Sequence, residues 1–329
     1  MKFGRVDQWM LLGGGQILIE FASGLLKDGF KVVVVTSERH EKELDFDLLE
    51  DEPFEVIVSQ DVNSDRKIFN KITKQTLGVS FGATWIFKSR LIGQFGGKLV
   101  NLHPSKLPQD RGGGPWSWKV LRNERKSYIT LHQVDPGIDT GKIIKYKEFT
   151  YPLSCRLPMD YQNYAVAQYR FLLKEFVKEV QQDKAFTLKG QKEHRSTYWP
   201  RFATDIHGYI DWGWKLKEIE RFICAFDDPY KGASTFVNGA KVRIKKCLTT
   251  RADAIFFHPF QRGLVYRISE GKLFVAADQG SLVVSSVTND RGIGVNGKIK
   301  VGDRFYTPVK YLEKALQYRA IYTSKGLKK

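Results

Sequence analysis

The chain has 329 residues, 42% hydrophobic, 13% aromatic and 27% charged, with a formal net charge of +17. This composition excludes a disordered chain and suits two or three domains at roughly 100–200 residues each, while no apolar run approaches the roughly 18 residues of a membrane-spanning helix. The cysteines Cys155, Cys224 and Cys247 are far apart and in no metal spacing, so neither a disulfide framework nor a metal site is expected, and a reducing cytoplasm fits.

Lys2 and Arg5 ahead of Trp9-Met10-Leu11-Leu12 imitate a secretory leader, but Gln16 and Glu20 interrupt the run, and it reads as folded chain. Gln8 to Leu12 predicts a short buried strand and Gly13-Gly14-Gly15 a turn. Gln16 to Lys27 then places Ile17, Leu18, Phe21, Leu25 and Leu26 at helical spacing. The four valines within Lys31 to Thr36 predict a strand buried on both faces. Phe54 to Ser59 and Gly78 to Phe81 are further strands around a polar helix at Asp65 to Thr76, and Lys98 to Leu102 is a fifth. Strands separated by helices predict an α/β fold with a Rossmann-like, doubly wound, mostly parallel sheet. Its ligands should lie beyond the carboxyl ends of the strands.

Ile129 to Gln133 and Lys142 to Lys147 are strand-like, and Tyr161 to Gln182 predicts a long amphipathic helix closing a first domain, 1–182. Residues 183–207 read as a connector. In 208–329, a helix at Lys215 to Ala225 precedes five short strands: Ala233 to Val237, Lys241 to Ile244, Gly263 to Ile268, Lys272 to Ala276 and Ser281 to Val287. This pattern predicts a small OB-like β-barrel. A terminal helix, Pro308 to Gln317, leads into a basic tail ending Lys325-Gly-Leu-Lys-Lys. Residues 205–329 hold 22 basic and 12 acidic side chains, so this half attracts polyanions or is simply a solvated basic surface.

Two segments carry chemistry. In Asn101-Leu-His-Pro-Ser-Lys-Leu-Pro-Gln-Asp-Arg-Gly-Gly-Gly-Pro115, Asn101 and His103 are two apart at a strand end and share a face. The prolines and glycines that follow predict a stiff loop in which Ser105 serves as a hydrogen-bonding residue. In Val134-Asp-Pro-Gly-Ile-Asp-Thr-Gly141, a Pro-Gly turn presents Asp139. Asn, His and Asp suit acyl transfer: the amide and imidazole can donate to an oxyanion, and the carboxylate can orient the imidazole or accept a proton from an amine. No Ser or Cys sits in a nucleophile elbow, so no covalent acyl-enzyme is indicated. Gly13-Gly14-Gly15 matches half of a dinucleotide fingerprint, with Leu18 in place of the third glycine and Glu38 near the place of a ribose-binding acid. A tight turn alone would also require these glycines.

The two segments together resemble the N10-formyltetrahydrofolate-dependent formyltransferases, and the resemblance continues into Gly208-Tyr-Ile-Asp-Trp212. It implies that an amine attacks the formyl carbon of N10-formyltetrahydrofolate directly, with no metal. Asn101 and protonated His103 would hold the oxyanion, and Asp139 would assist proton transfer. It also implies a folate pocket between Gly82-Ala83-Thr84-Trp85-Ile86-Phe87 and the Val134 to Asp139 loop, which includes Asp135, Gly137 and Ile138. Trp85 and Phe87 would otherwise read as core aromatics. Methionyl-tRNA formyltransferases usually carry R-G-A-A-P, where this chain has Arg111-Gly112-Gly113-Gly114-Pro-Trp116-Ser-Trp118. That departure is more similar to the sugar-nucleotide formyltransferases of surface polysaccharide synthesis. Their acceptor would be a nucleotide-linked amino sugar of the 4-amino-4,6-dideoxyhexose type. Trp116 or Trp118 could then stack on a base or sugar, or simply pack, and Lys106, Arg111 and Arg201 could take a diphosphate or be surface charge. Initiator tRNA is the alternative acceptor. The barrel could serve tRNA or a homodimer, and a non-catalytic nucleic-acid-binding protein is the reading from another class.

Overall fold

The computed structural model describes residues 1–41, 55–251, 256–323 and 326–327. Phe54 of the third expected strand, and Lys325, Lys328 and Lys329 of the basic tail, lie outside the described residues. The first half runs β1 (Gln8–Gly13), α1 (Gln16–Lys27), β2 (Lys31–Thr36), α2 (Glu38–Glu41), β3 (Glu55–Val58), α3 (Arg66–Lys71), β4 (Thr76–Phe81), α4 (Ser89–Gln94) and β5 (Leu99–His103). There follow β6 (Arg111–Gly112), α5 (Pro115–Leu121), β7 (Lys126–Gln133), β8 (Ile143–Thr150), α6 (Pro158–Gln181) and β9 (Tyr198–Trp199).

A seven-stranded sheet has the order β3-β2-β1-β4-β5-β7-β8. The first five strands are parallel, and β7 and β8 run antiparallel to their neighbours. Alternation along each strand serves two cores. Trp9, Leu11, Val32, Val34, Leu77 and Val79 face α1 and α6, whereas Met10, Leu12, Val33 and Val35 pack with Ile68 of α3 and Leu91 of α4. Helices on both faces confirm the doubly wound reading.

Local differences from the expectation have physical causes. The third helix covers only Arg66–Lys71, because Thr76 already enters β4, where Gln8 Nε2 bonds its hydroxyl at 3.0 Å and the Lys71 carbonyl at 2.7 Å. Residues 101–115 are not loop throughout: Arg111–Gly112 pair with Tyr198–Trp199, and α5 starts at Pro115. Pro at the first helical position sets the dihedral the helix needs. Gly13 and Gly14 are explained by packing, since a Cβ on Gly13 would meet the Phe81 carbonyl at 1.9 Å and one on Gly14 the His40 ring at 2.3 Å, whereas Gly15 is explained by its φ of 88°.

The C-terminal half comprises α7 (Thr204–His207), α8 (Leu216–Ala225), β10 (Ala233–Val237), β11 (Ala240–Thr250), β12 (Val265–Ser269), β13 (Lys272–Ala277), β14 (Gly280–Thr288) and α9 (Val309–Gln317). Its antiparallel sheet has the order β10-β11-β14-β13-β12. One segment bridges both edges, Tyr306 pairing with Phe236 and Arg304 with Leu264, which curls the sheet toward a barrel. The α1/α6-side core continues through α5 and α8 into this sheet, and Ser117 Oγ donates to the Ala225 carbonyl at 2.8 Å across the junction.

Candidate active site

The carboxyl end of β5 brings Asn101 and His103 to the edge of the parallel sheet. The antiparallel β7 sets His132 opposite Asn101 and Thr130 opposite His103. Residues two apart, and residues directly opposed, share one sheet face, so the two histidines and the asparagine converge. The Thr130 hydroxyl donates to the Ser105 carbonyl at 2.8 Å, tying the loop after β5 to β7.

Asp139 reaches this face from a loop built by its own motif. Asp135 Oδ1 accepts the Gly137 N–H at 3.2 Å and also the Thr140 hydroxyl. A Cβ on Gly141 would meet the Gln133 carbonyl at 1.8 Å, so the loop closes there only with glycine. Asp139 itself has φ of 54°, in the left-handed region that side-chain-bearing residues seldom adopt. The surroundings hold it there: Gly112 N–H donates to its Oδ2 at 3.0 Å, and Gln191 Nε2 donates to its carbonyl at 2.8 Å and to that of Gly141 at 2.7 Å.

Its Oδ1 lies 3.6 Å from both His103 Nδ1 and His132 Nε2. The other ring nitrogens face carbonyls, His103 Nε2 at 2.6 Å from the Asp110 oxygen and His132 Nδ1 at 2.7 Å from that of Gln133. Carbonyls only accept, so each of those nitrogens carries a hydrogen. His132 Nε2 then accepts from Asn101 Nδ2 at 3.1 Å. This fixes the amide and commits one of its two N–H groups.

Burial pushes the Asp139 carboxyl up, but His103 beside it and the Gly112 N–H outweigh it and hold it well below the usual carboxylate range. Burial pushes the His103 imidazole down, and the pull of Asp139 restores only part of the loss. What the geometry provides is an ionised carboxylate, a poised imidazole and an oriented amide within one cluster.

The other residues singled out in the sequence divide into those at the cleft and those that build its walls. Trp85 and Phe87 are buried with Leu91, Phe95 and Leu99, so they anchor their loop, while Gly82 and Ile138 are exposed and Ala83, Thr84, Ile86 and Val134 half-buried. Asn63 holds that loop in shape, donating to the Ile86 carbonyl at 3.0 Å and accepting from the Lys88 N–H at 2.7 Å. Arg111 is buried, and its guanidinium is engaged by Gln191 and, at 3.0 Å, by both oxygens of Glu193. It fastens the connector to β6 and has no fork left for a diphosphate. Lys106 is exposed and lies over the Tyr128 ring at 4.9 Å. Trp118 packs at a tilt between Trp199 and Phe202 and donates to the Pro200 carbonyl at 2.9 Å, while Trp116 packs on the main core. Arg201 is half-buried beside Gly114, and Gly112 and Gly113 form the strand edge facing β9.

Sequence reasoning missed His132, Gln191, Asp110 and Asn63. His132 carries the one legible signal, a polar residue between Leu131 and the D-x-G-x-D motif, but its significance needs the β5–β7 register.

A site of this kind, on a doubly wound sheet with an antiparallel barrel-like appendage, defines an acyl-transfer class. The chain belongs to the formyltransferase family: residues 10–150 match the formyl transferase model, and residues 204–298 match that of the formyl transferase C-terminal domain. A methionyl-tRNA formyltransferase of Syntrophus aciditrophicus is 27% identical over 194 residues, spanning 57% of this chain and 58% of that protein. One of Agathobacter rectalis is 27% identical over 195 residues, with the same shares. Among solved structures, the sugar 3N-formyl transferase WlaRD, solved with dTDP and 5-N-formyl-THF, superposes with a TM-score of 0.64 at 20% identity, covering 85% of this chain and 97% of that one. The N-formyltransferase of Helicobacter canadensis, in complex with folinic acid and dTDP-3-aminofucose, gives 0.63 at 22% identity over 85% and 98%. HypX of Aquifex aeolicus with tetrahydrofolic acid gives 0.58 at 17%, over 95% of this chain and 48% of that one. Among the described residues, no three of His, Cys, Asp and Glu are grouped as a metal ion requires, and no helix is long and apolar enough to cross a membrane.

Proposed function

We propose that this chain moves a formyl group from N10-formyltetrahydrofolate to the primary amine of a nucleotide-linked amino sugar. The observation that carries the reaction class is the cluster at the end of β5, where Asn101, His103, His132 and Asp139 meet. The amine nitrogen attacks the formyl carbon, and its carbonyl becomes an oxyanion. Asn101 has one N–H committed to His132 and offers the other to that oxyanion. Asp139, ionised and 3.6 Å from His103 Nδ1, takes the proton the amine loses and shares it with the imidazole. The resulting imidazolium supplies charge to the oxyanion during the step, and the proton then goes to N10 as the C–N10 bond breaks.

The donor suits the two loops flanking Asp139, where Ile86 and Ile138 are accessible. The acceptor assignment is supported by Gly112-Gly113-Gly114 in place of the tRNA-type motif, and by superposition on sugar N-formyltransferases. A tRNA acceptor is favoured by a different observation, the identity to methionyl-tRNA formyltransferases together with the basic C-terminal half. Incubation with the formyl donor and amino-sugar nucleotides on dTDP, UDP or GDP, followed by mass analysis of the acceptor, tests the reading. The expected product is a sugar nucleotide gaining one formyl group, and none should form with His103→Ala.

A further inference from the structure

After α9 the chain turns back toward the first half of the molecule. The Tyr318 carbonyl lies 3.1 Å from His207 Nε2, and the two rings meet edge to face. Arg319, Ala320 and Ile321 then form, with Ile86, Ile138 and Tyr198, the wall of a cavity of about 320 Å³. That volume lies within the roughly 300–1,000 Å³ of small-molecule sites.

Each first-half member of this wall is one step from the cluster around Asp139. Ile138 is its chain neighbour. Tyr198 pairs with Arg111, next to the Gly112 whose N–H holds the Asp139 carboxylate. Ile86 belongs to the loop fixed by Asn63. Ile138, Tyr198 and Ile321 are 42%, 39% and 54% exposed, an apolar rim facing solvent, while Ala320 at 5% anchors the returning segment. Arg319 is the one charged residue in the wall, and it is exposed and unpaired among the described residues.

We infer that Arg319–Ile321 completes the donor site: the aminobenzoyl ring of the formyl donor lies against Ile86, Ile138 and Ile321, and Arg319 pairs with the glutamate carboxylates beyond it. This rests on the folate-donor reading above. In that donor the aminobenzoyl ring is bonded directly to N10, the atom the formyl group leaves, so it must lie beside Asp139, as this cavity does. A flat apolar ring followed by carboxylates matches apolar walls with one cation at the rim. A diphosphate would call for more positive charge than one arginine supplies.

The test measures initial rates with the 329-residue chain and two donors, 10-formyltetrahydrofolate and the glutamate-free 10-formyltetrahydropteroyl amide, which carries no carboxylate. Binding of unreactive 5-formyltetrahydrofolate is followed in parallel by calorimetry. Arg319→Ala should raise the donor KM and the Kd roughly three- to tenfold, with kcat and acceptor KM little changed. It should leave the KM of the glutamate-free donor unaltered, and Arg319→Lys should recover part of the loss. Ile321→Asp should weaken both donors. An unchanged donor KM in Arg319→Ala, an equal rise for both donors, or a rise in acceptor KM instead, would overturn the inference and leave the folate reading standing. A wild-type chain that binds no reduced folate would bring down both.

Discussion

Asn101, His103, His132 and Asp139 form one cluster, joined by the Asn101–His132 hydrogen bond and by the 3.6 Å approach of both imidazoles to Asp139, and their substitution should behave as that of a unit. His103→Ala and Asp139→Asn are each expected to lower formyl transfer by about 10²–10⁴-fold, with far-UV circular dichroism unchanged. His132→Ala should lower kcat more than it raises either KM, because it frees the Asn101 amide without removing a reacting group. An effect on KM alone would place His132 in binding. The proton balance is also testable. Burial depresses the His103 pKa and Asp139 opposes that fall, so Asp139→Asn should move the imidazole titration, followed by NMR, still further below the ordinary value near 6.5. An upward move would contradict the proposed coupling. At this scale the sequence was informative where function and local geometry coincide. Asn101 and His103 are two apart on one strand, and Asp139 sits in a motif whose Asp135, Gly137, Thr140 and Gly141 are explained as loop builders. His132 stayed hidden because only the antiparallel register of β7 brings it opposite Asn101.

The elements around the site are held by buried polar contacts of long sequence separation. Arg111 fastens β6 to the connector through Gln191 and Glu193, and Gln191 in turn holds the Asp139 loop. Arg111→Ala should therefore lower Tm by several degrees, about the effect of losing a buried charged partner, and reduce kcat. A selective rise in acceptor KM at unchanged Tm would return Arg111 to the acceptor site. Behind the loop after β5, fully buried Lys119 bonds Glu124 at 2.9 Å and Ser127 at 2.7 Å. Arg122 links Glu124 to Asp110, whose carbonyl accepts from His103. Burial lowers the Lys119 pKa against the pull of Glu124, so between its folded and unfolded values the unfolded chain binds more protons and stability rises with pH. Glu124→Gln strands the ammonium and should cost about 3 kcal/mol near neutrality. That deficit should shrink as the pH approaches about 10, and one that grew with pH would contradict the assignment. None of this was legible beforehand, since residues 183–207 read as a connector and the Glu193–Arg111 pairing spans 82 positions.

On the scale of the whole molecule, the alternation of strand and helix and the switch to short strands with Gly and Asn turns made both architectures readable. Their union was not. The main core runs through α5 and α8 into the C-terminal sheet, and the chain then returns past α9 to the cavity beside Ile138. Thermal unfolding should accordingly show one cooperative transition for both halves. A chain ending at residue 203 should lose that transition and expose apolar surface to a hydrophobic dye. A native-like melt of that fragment would show the halves to be independent. The basic C-terminal half thus has a structural role whatever the acceptor, and net charge is a weak guide to which amine is formylated.

The most direct test of the account is a formylation assay with N10-formyltetrahydrofolate, offering the protein a panel of dTDP-, UDP- and GDP-linked amino sugars alongside methionyl-initiator tRNA. The account predicts a formylated sugar nucleotide, formed by the wild type and not by His103→Ala. Release of formate with no acylated amine, or turnover on the tRNA alone, would contradict it.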